Sequence, residues 1–257
     1  METKSLGFIG GGRITKIFLQ AFDNKKEKFN SILVYDTNAE VLNALKLQFP
    51  QIEIAENLQQ AARQSILFIA LHPPVIMEAL DKISEIASDD AMVISLAPKI
   101  TIEKIATKLN TVNIARMIPN ATSYINEGYN PVTFAPGLSA NKKSAVLEIL
   151  KLLGNTFEVA ENKLEAYALL SAMLPTYFWF QWKELSQIGT QIGLTEEESK
   201  ASVHKTLIAA INLMFNSKLS PEQVMDLIPV KPIGEHQAQI SEIYQSKLMG
   251  LYGKIKP

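Results

Sequence analysis

From Leu6 to about Val159, short apolar runs alternate with stretches in which apolar residues recur at helical spacing. Leu6 to Ile9, Ser31 to Tyr35, Ile66 to Ala70, Met92 to Ser95 and Val112 to Met117 read as strands. The run Ile66-Leu67-Phe68-Ile69-Ala70 is apolar throughout, as expected for a strand buried on both faces. Helices are expected after Gly12 to near Ala21, over Ala39 to Phe49, from Pro73-Pro74 to about Ile86, over Thr101 to Leu109, and over Asn141 to Leu153. Proline suits a first helical turn, where its missing N–H has no intrahelical partner to lose, and Gly154 suits a helix stop. Strands separated by helices predict right-handed crossovers and a doubly wound, mainly parallel α/β sheet.

Beyond Glu161 the pattern turns wholly helical. One long stretch, Leu164 to about Ile192, is expected to bend at Pro175. A second, Thr195 to about Asn216, opens with a capping box formed by Thr195 and Glu198. Ser220-Pro221 starts a short helix, and Glu235 to about Tyr252 makes the last. The expectation is therefore a domain over 1–160 and an all-helical domain over 161–257, with no repeat and no Gly/Ser linker between them.

Composition narrows the function. The 257 residues are 47% hydrophobic, enough for a substantial core, and the net charge of −1 speaks against a general nucleic-acid or membrane-surface partner. There are no cysteines, so disulfides and thiolate metal sites are excluded. The 3 histidines have no metal-ligand spacing, so no metal is expected. No secretory leader and no uncharged apolar stretch of the ~18 residues a membrane span requires is found, which points to the cytoplasm.

In such sheets, ligands bind outside the carboxyl ends of the strands. Those ends here are Gly10 to Gly12, Asp36, Ala70 to Pro74, Ser95 to Lys99 and Ile118 to Asn120. Gly10 allows a sharp turn, and Gly12 lets the backbone approach a pyrophosphate at the start of a helix. The G-x-G-x-x-G pattern is incomplete, because Thr15 stands at the third small position. Asp36 lies near the separation at which an acid holds the ribose hydroxyls of a dinucleotide; that favours NAD over NADP, while Arg13 is placed to pair with a phosphate. The alternative is a tight turn with no ligand. His72 would reach the nicotinamide ribose or lie buried, Asn120 would bond the nicotinamide side, and His204 reads as structural or solvated. The aromatic run Tyr177-Phe178-Trp179-Phe180 with Trp182 reads as core plus a self-association surface.

These motifs, in this order, resemble the pyrroline-5-carboxylate reductase family over nearly the whole chain. Gly7-Phe8-Ile9-Gly10-Gly11-Gly12-Arg13-Ile14 is similar to its G-F-I-G-A-G-N-M, Ala70-Leu71-His72-Pro73-Pro74 to A-V-K-P-Q, and Ser95-Leu96-Ala97 to S-I-A. Arg116-Met117-Ile118-Pro119-Asn120 is similar to R-x-M-P-N, with Glu127-Gly128 following, and Ile192-Gly193-Leu194 to L-G-L. Ser171, Pro175 and Tyr177 keep part of S-G-S-G-P-A-Y. The resemblance implies a Rossmann domain, a helical domain that builds an intertwined homodimer, and reduction of a cyclic imine by nicotinamide hydride. It makes Gly10, Gly12, Arg13, Ile14, Asp36, Ala70, His72, Pro73, Ser95, Ala97 and Asn120 the expected coenzyme contacts.

The departures concern the substrate. His72 replaces a lysine, Pro98-Lys99 replace A-G, and Ala172, Met173 and Leu174 replace small residues. The family's S-P-G-G-x-T loop, which holds the substrate carboxylate, corresponds to Lys231-Pro232-Ile233-Gly234-Glu235-His236. Tyr177, Gly234 and Glu235 are thus the expected substrate contacts, and a carboxylate beside Glu235 would be repelled. His236 is either the proton donor or a solvent-facing side chain, a histidine being suited to donate near neutral pH. Two readings follow: an NAD(P)-dependent oxidoreductase acting on a small imine or imino/keto acid, or a catalytically silent dinucleotide-binding sensor or partner-binding dimer.

Overall fold

The computed structural model describes residues 4–85, 90–109 and 111–257. These form two compact units: one runs to Ala172 and takes in Tyr252–Pro257, the other is Met173–Leu251.

The first unit is built on an eight-stranded sheet. Its strands are β1 (Ser5–Ile9), β2 (Ser31–Tyr35), β3 (Glu53–Ile54), β4 (Ile66–Ile69), β5 (Met92–Ser95), β6 (Ile114–Met117), β7 (Gly128–Phe134) and β8 (Gly154–Glu158). The spatial order is β3-β2-β1-β4-β5-β6-β7-β8. Pairing is parallel throughout except between β6 and β7. The helices are α1 (Arg13–Asn24), α2 (Ala39–Gln48), α3 (Leu58–Ala62), α4 (Pro73–Ile83), α5 (Ile102–Leu109), α6 (Ala140–Leu150) and α7 (Leu164–Tyr167). The expected end of the fourth helix near Ile86 lies outside the described residues.

Alternation along the strands explains the apolar runs. Leu6, Phe8, Ile66, Phe68, Met92 and Ile94 bury into one core with α1, α2 and α6. Ile9, Leu67, Ile69 and Val93 bury into a second core with α3, α4 and α5. With helices on both faces, every position of β4, β5 and β6 is buried, and their runs are mostly apolar. The Phe8 and Phe68 rings stack at 4.7 Å, with Phe18 of α1 edge-on to Phe68 at 5.4 Å.

Sequence reading names no strand after Met117, and β7 and β8 supply two more. Pro131 lies inside β7 and removes a ladder N–H, while β8 opens on Gly154 and Asn155; neither stretch has a strand's usual composition. Gly154 therefore starts a strand as well as ending the helical stretch before it.

Strands end at Glu158, but the helical residues as far as Ala172 stay with the sheet unit. Leu164 and Ala168 pack on Ile118, and Ile255 from the returning chain end joins them. The expected bend at Pro175 falls earlier, as a π-helical turn over Ala168–Ala172. Pro175 sits instead in the first turn of the next helix, where it costs no hydrogen bond.

The second unit is helical: α8 (Leu174–Gln191), α9 (Glu196–Asn216), α10 (Pro221–Asp226) and α11 (Gln237–Ile255), whose last turn belongs to the first unit. The capping box at Thr195 and Glu198 is formed, and Ser220 with Gln223 makes another. Ser199 of α9 is buried against α8, donating to the Ser186 carbonyl at 2.6 Å.

Candidate active site

The strand order reverses between β1 and β4, the place where doubly wound sheets open a crevice at their carboxyl ends. The glycine turn lies there. Gly10 has φ +105°, and a Cβ on it would come within 2.4 Å of the Ala70 carbonyl oxygen across the crevice. Its own N–H donates to the Tyr35 carbonyl at 2.7 Å, tying the ends of β1 and β2 together. Only glycine meets both demands.

Gly12 caps α1, and no side chain caps the helix with it. A Cβ on Gly12 would meet nothing within 4 Å. The first-turn N–H groups therefore face open space at the positive end of a 12-residue helix, which suits a pyrophosphate. Arg13, exposed beside this turn, has no ion-pair partner among the described residues and is free to meet phosphate. Thr15, the misfit in the fingerprint, is fully buried and its hydroxyl donates to the Gly10 carbonyl. It braces the turn from within, where a third small residue would only have made room for the helix.

Asp36, half-buried at the end of β2, accepts the Gly11 N–H at 2.7 Å on Oδ2 and the Asn38 N–H at 2.9 Å on Oδ1. One lone-pair direction remains on each oxygen for ribose hydroxyls. The acid thus shapes the glycine turn as well as standing beside it. His72 is exposed, capping α4 at the end of β4 with Pro73 next to it. Ser95 and Ala97 are buried at the end of β5. Ala70, His72, Ser95 and Ala97 thus lie at the carboxyl ends of the paired strands β4 and β5.

Asn120 requires a correction. Its amide nitrogen donates to the Ser171 carbonyl and hydroxyl, both at 3.0 Å, and its oxygen accepts from the Thr122 N–H and hydroxyl. All four hydrogen-bonding positions are spent, so it fixes the π-helical turn to the end of β6 and has nothing left for nicotinamide.

The expected substrate residues belong to the second unit. Gly234 and His236 bound a 3-10 turn at the foot of α11, and Glu235 lies between them. His236 Nε2 is 3.5 Å from Glu235 Oε1, and both side chains are exposed. Gly234 lines an apolar cleft of about 410 Å³ with Met225, Ile228, Val230, Ile233 and Tyr244; Glu235 and His236 do not line it. The Tyr177 ring lies 6.2 Å from the Tyr244 ring, and burial raises its phenol pKa above the ordinary value.

Sequence reading also passed over a buried charge cluster. Arg116 of β6 is fully buried and bonds Glu161 at 2.8 Å and Glu165 at 2.6 Å. The available signal was an arginine in the otherwise apolar run Ile114 to Ile118, since a buried cation needs a carboxylate partner. Among the described residues, no group of three or more acidic or histidine side chains is arranged to hold a metal, and no helix is long and apolar enough to cross a membrane.

A mainly parallel sheet with this reversal, a bare glycine turn and an acid after the second strand defines a Rossmann-type dinucleotide-binding fold. Residues 5–99 match the family model described as NADP oxidoreductase, coenzyme F420-dependent. More specifically, the chain is pyrroline-5-carboxylate reductase-like along nearly its whole length. It is 23% identical over 252 residues to the pyrroline-5-carboxylate reductase of Corynebacterium melassecola, covering 96% of this chain and 93% of that protein. In fold it is similar to the pyrroline-5-carboxylate reductase of Coxiella burnetii, with a TM-score of 0.72 at 23% identity, covering 99% of this chain and 95% of that one. It is similar also to the Plasmodium falciparum pyrroline carboxylate reductase solved with NADP bound, with a TM-score of 0.75 at 20% identity and the same coverage.

Proposed function

We propose that the protein transfers hydride between a nicotinamide coenzyme and a small imine or imino/keto acid. The observation that carries this reading is the glycine turn at the strand reversal, open above Gly12 and braced by Thr15. Bound there, the coenzyme supplies the hydride; the chain positions it and delivers a proton. Gly10, Gly12, Arg13 and Ile14 would hold the pyrophosphate, with Ala70, His72, Pro73, Ser95 and Ala97 along the nicotinamide half. Asp36 would accept the adenosine ribose hydroxyls and repel a 2′-phosphate, so NAD is preferred.

In this reading the sheet unit, through Ala172, binds the coenzyme, and the helical unit Met173–Leu251 provides the dimerisation and substrate surfaces. His236 donates the proton, and Tyr177, Gly234 and Glu235 meet the substrate. Ile233 and Glu235 differ from the loop that holds a carboxylate in the resembling family, which favours a substrate without a carboxylate at that point. The same change supports a second reading, a dinucleotide-binding dimer without turnover. The active unit is a homodimer assembled through the C-terminal helices, whose exposed apolar residues include Trp179, Phe180, Ile192 and Phe215.

Calorimetric titration with NADH and NADPH, followed by NADH oxidation against a panel of cyclic imines and keto acids, tests this. Binding with turnover of one substrate class is expected. Binding without turnover selects the silent dimer, and no binding of either coenzyme rejects both readings.

A further inference from the structure

The turn after β5 is held by side chains distant in sequence. Lys99 sits at φ +74°, a left-handed conformation that a non-glycine residue adopts only under strain. Its N–H donates to Glu165 Oε1 at 3.0 Å, across 66 residues of chain. Three residues on, the Ile102 N–H at the start of α5 donates to Glu161 Oε1 at 2.7 Å. The same two oxygens accept from Arg116, which lies on β6 in register with Ser95 of β5. Arg116 thus anchors two carboxylates, and these grip both ends of the turn.

We infer that Glu165 and Glu161, held by Arg116, are positioning residues that set the β5–α5 turn against the nicotinamide half of the coenzyme. This rests on the oxidoreductase reading above. Two observations favour positioning over mere stability. A buried ion pair adds little stability compared with apolar packing of the same volume. The cluster is also left incomplete: Ser95 Oγ, Arg116 Nε and Glu165 Oε2 are buried with no hydrogen-bond partner among the described residues. Unpaired buried groups subtract from the stability such a cluster can supply. What it does achieve is to hold a strained turn between Ser95 and α5, on the rim where β4 and β5 end side by side.

The test compares wild type with Glu165→Gln, Lys99→Gly and the double variant. Glu165→Gln is expected to weaken NADH binding about tenfold, the value of one charge-assisted hydrogen bond, and to lower Tm. In the double variant glycine takes the left-handed turn without strain, so affinity returns to within about twofold of wild type. Tm stays low, because Arg116 still lacks the buried one of its two charged partners. Affinity and Tm recovering together, or neither changing, overturns the inference. If Glu165→Gln does not fold, Glu161→Gln at the rim decides: about threefold weaker binding, within the range of an ordinary hydrogen bond, supports the inference and unchanged binding overturns it. Hydrogen exchange at the Lys99 and Ile102 amides needs no coenzyme. Faster exchange confined to this turn in the glutamine variants supports the clamp, and wild-type rates overturn it even if the protein binds no dinucleotide.

Discussion

Asp36 and His236 illustrate how differently two polar residues can be committed by their surroundings. Both oxygens of Asp36 are engaged by backbone N–H groups of the glycine turn and of the chain that follows. Asp36→Ala therefore removes a ribose partner and loosens the phosphate cradle together. NADH affinity is expected to fall at least about tenfold, with discrimination against NADPH lost, since two charge-assisted bonds are involved; calorimetry with both coenzymes checks this, and unchanged affinities remove Asp36 from the site. The His236 side chain is exposed, with Nε2 3.5 Å from its neighbour Glu235. If it is the proton donor, His236→Ala lowers kcat by about a hundredfold or more while leaving the coenzyme Kd unchanged, as loss of a general acid does. Steady-state kinetics beside a binding titration separate that outcome from an equal loss in both.

At the scale of elements, the sheet derives its strength from helices on both faces and from aromatic contact across the β1–β4 junction. Phe68 meets Phe8 face to face and Phe18 edge-on, and all three are buried. Phe68→Ala leaves a cavity in the core between the β1–β4 junction and α1. The expected cost is about 3–5 kcal/mol in urea unfolding with an unchanged m-value, the range for deleting a buried phenylalanine. A smaller loss would mean that the junction repacks. The π-helical turn at Ala168–Ala172 is secured differently, by Asn120 and by the Ser171 hydroxyl donating to the Tyr129 carbonyl at 2.6 Å. Polar bonds from β6 and β7 hold it where an α-helix would have continued.

At the scale of the whole molecule, the second unit keeps few of its apolar side chains from water within one chain. Ile208, Ile211 and Phe215 recur along α9 at helical spacing, and Phe215 is 78% exposed. On the dimer reading proposed above, this stripe is the interface. Wild-type protein is expected to sediment as a dimer, and Phe215→Asp as a monomer that retains coenzyme binding. A dimer that persists in Ile211→Asp and Phe215→Asp alike rejects the C-terminal helices as the interface.

Much of the first unit was legible in its residues because burial on both sheet faces leaves a near-continuous apolar run, and glycine at a forced backbone angle has few substitutes. β2, β5, the capping box at Thr195 and the turn at Gly10 to Gly12 follow from such local causes. β7 and β8 do not, since Pro131 and Gly154 contradict strand composition and are accommodated only by the neighbours they pair with. Asn120 looked available for a ligand until Ser171, 51 residues away, took its amide. The roles of Thr15, Arg116, Glu161 and Glu165 are likewise settled by partners distant along the chain or across a turn. Periodicity and backbone preference act over a few residues, whereas the satisfaction of a buried polar group depends on what the fold brings beside it.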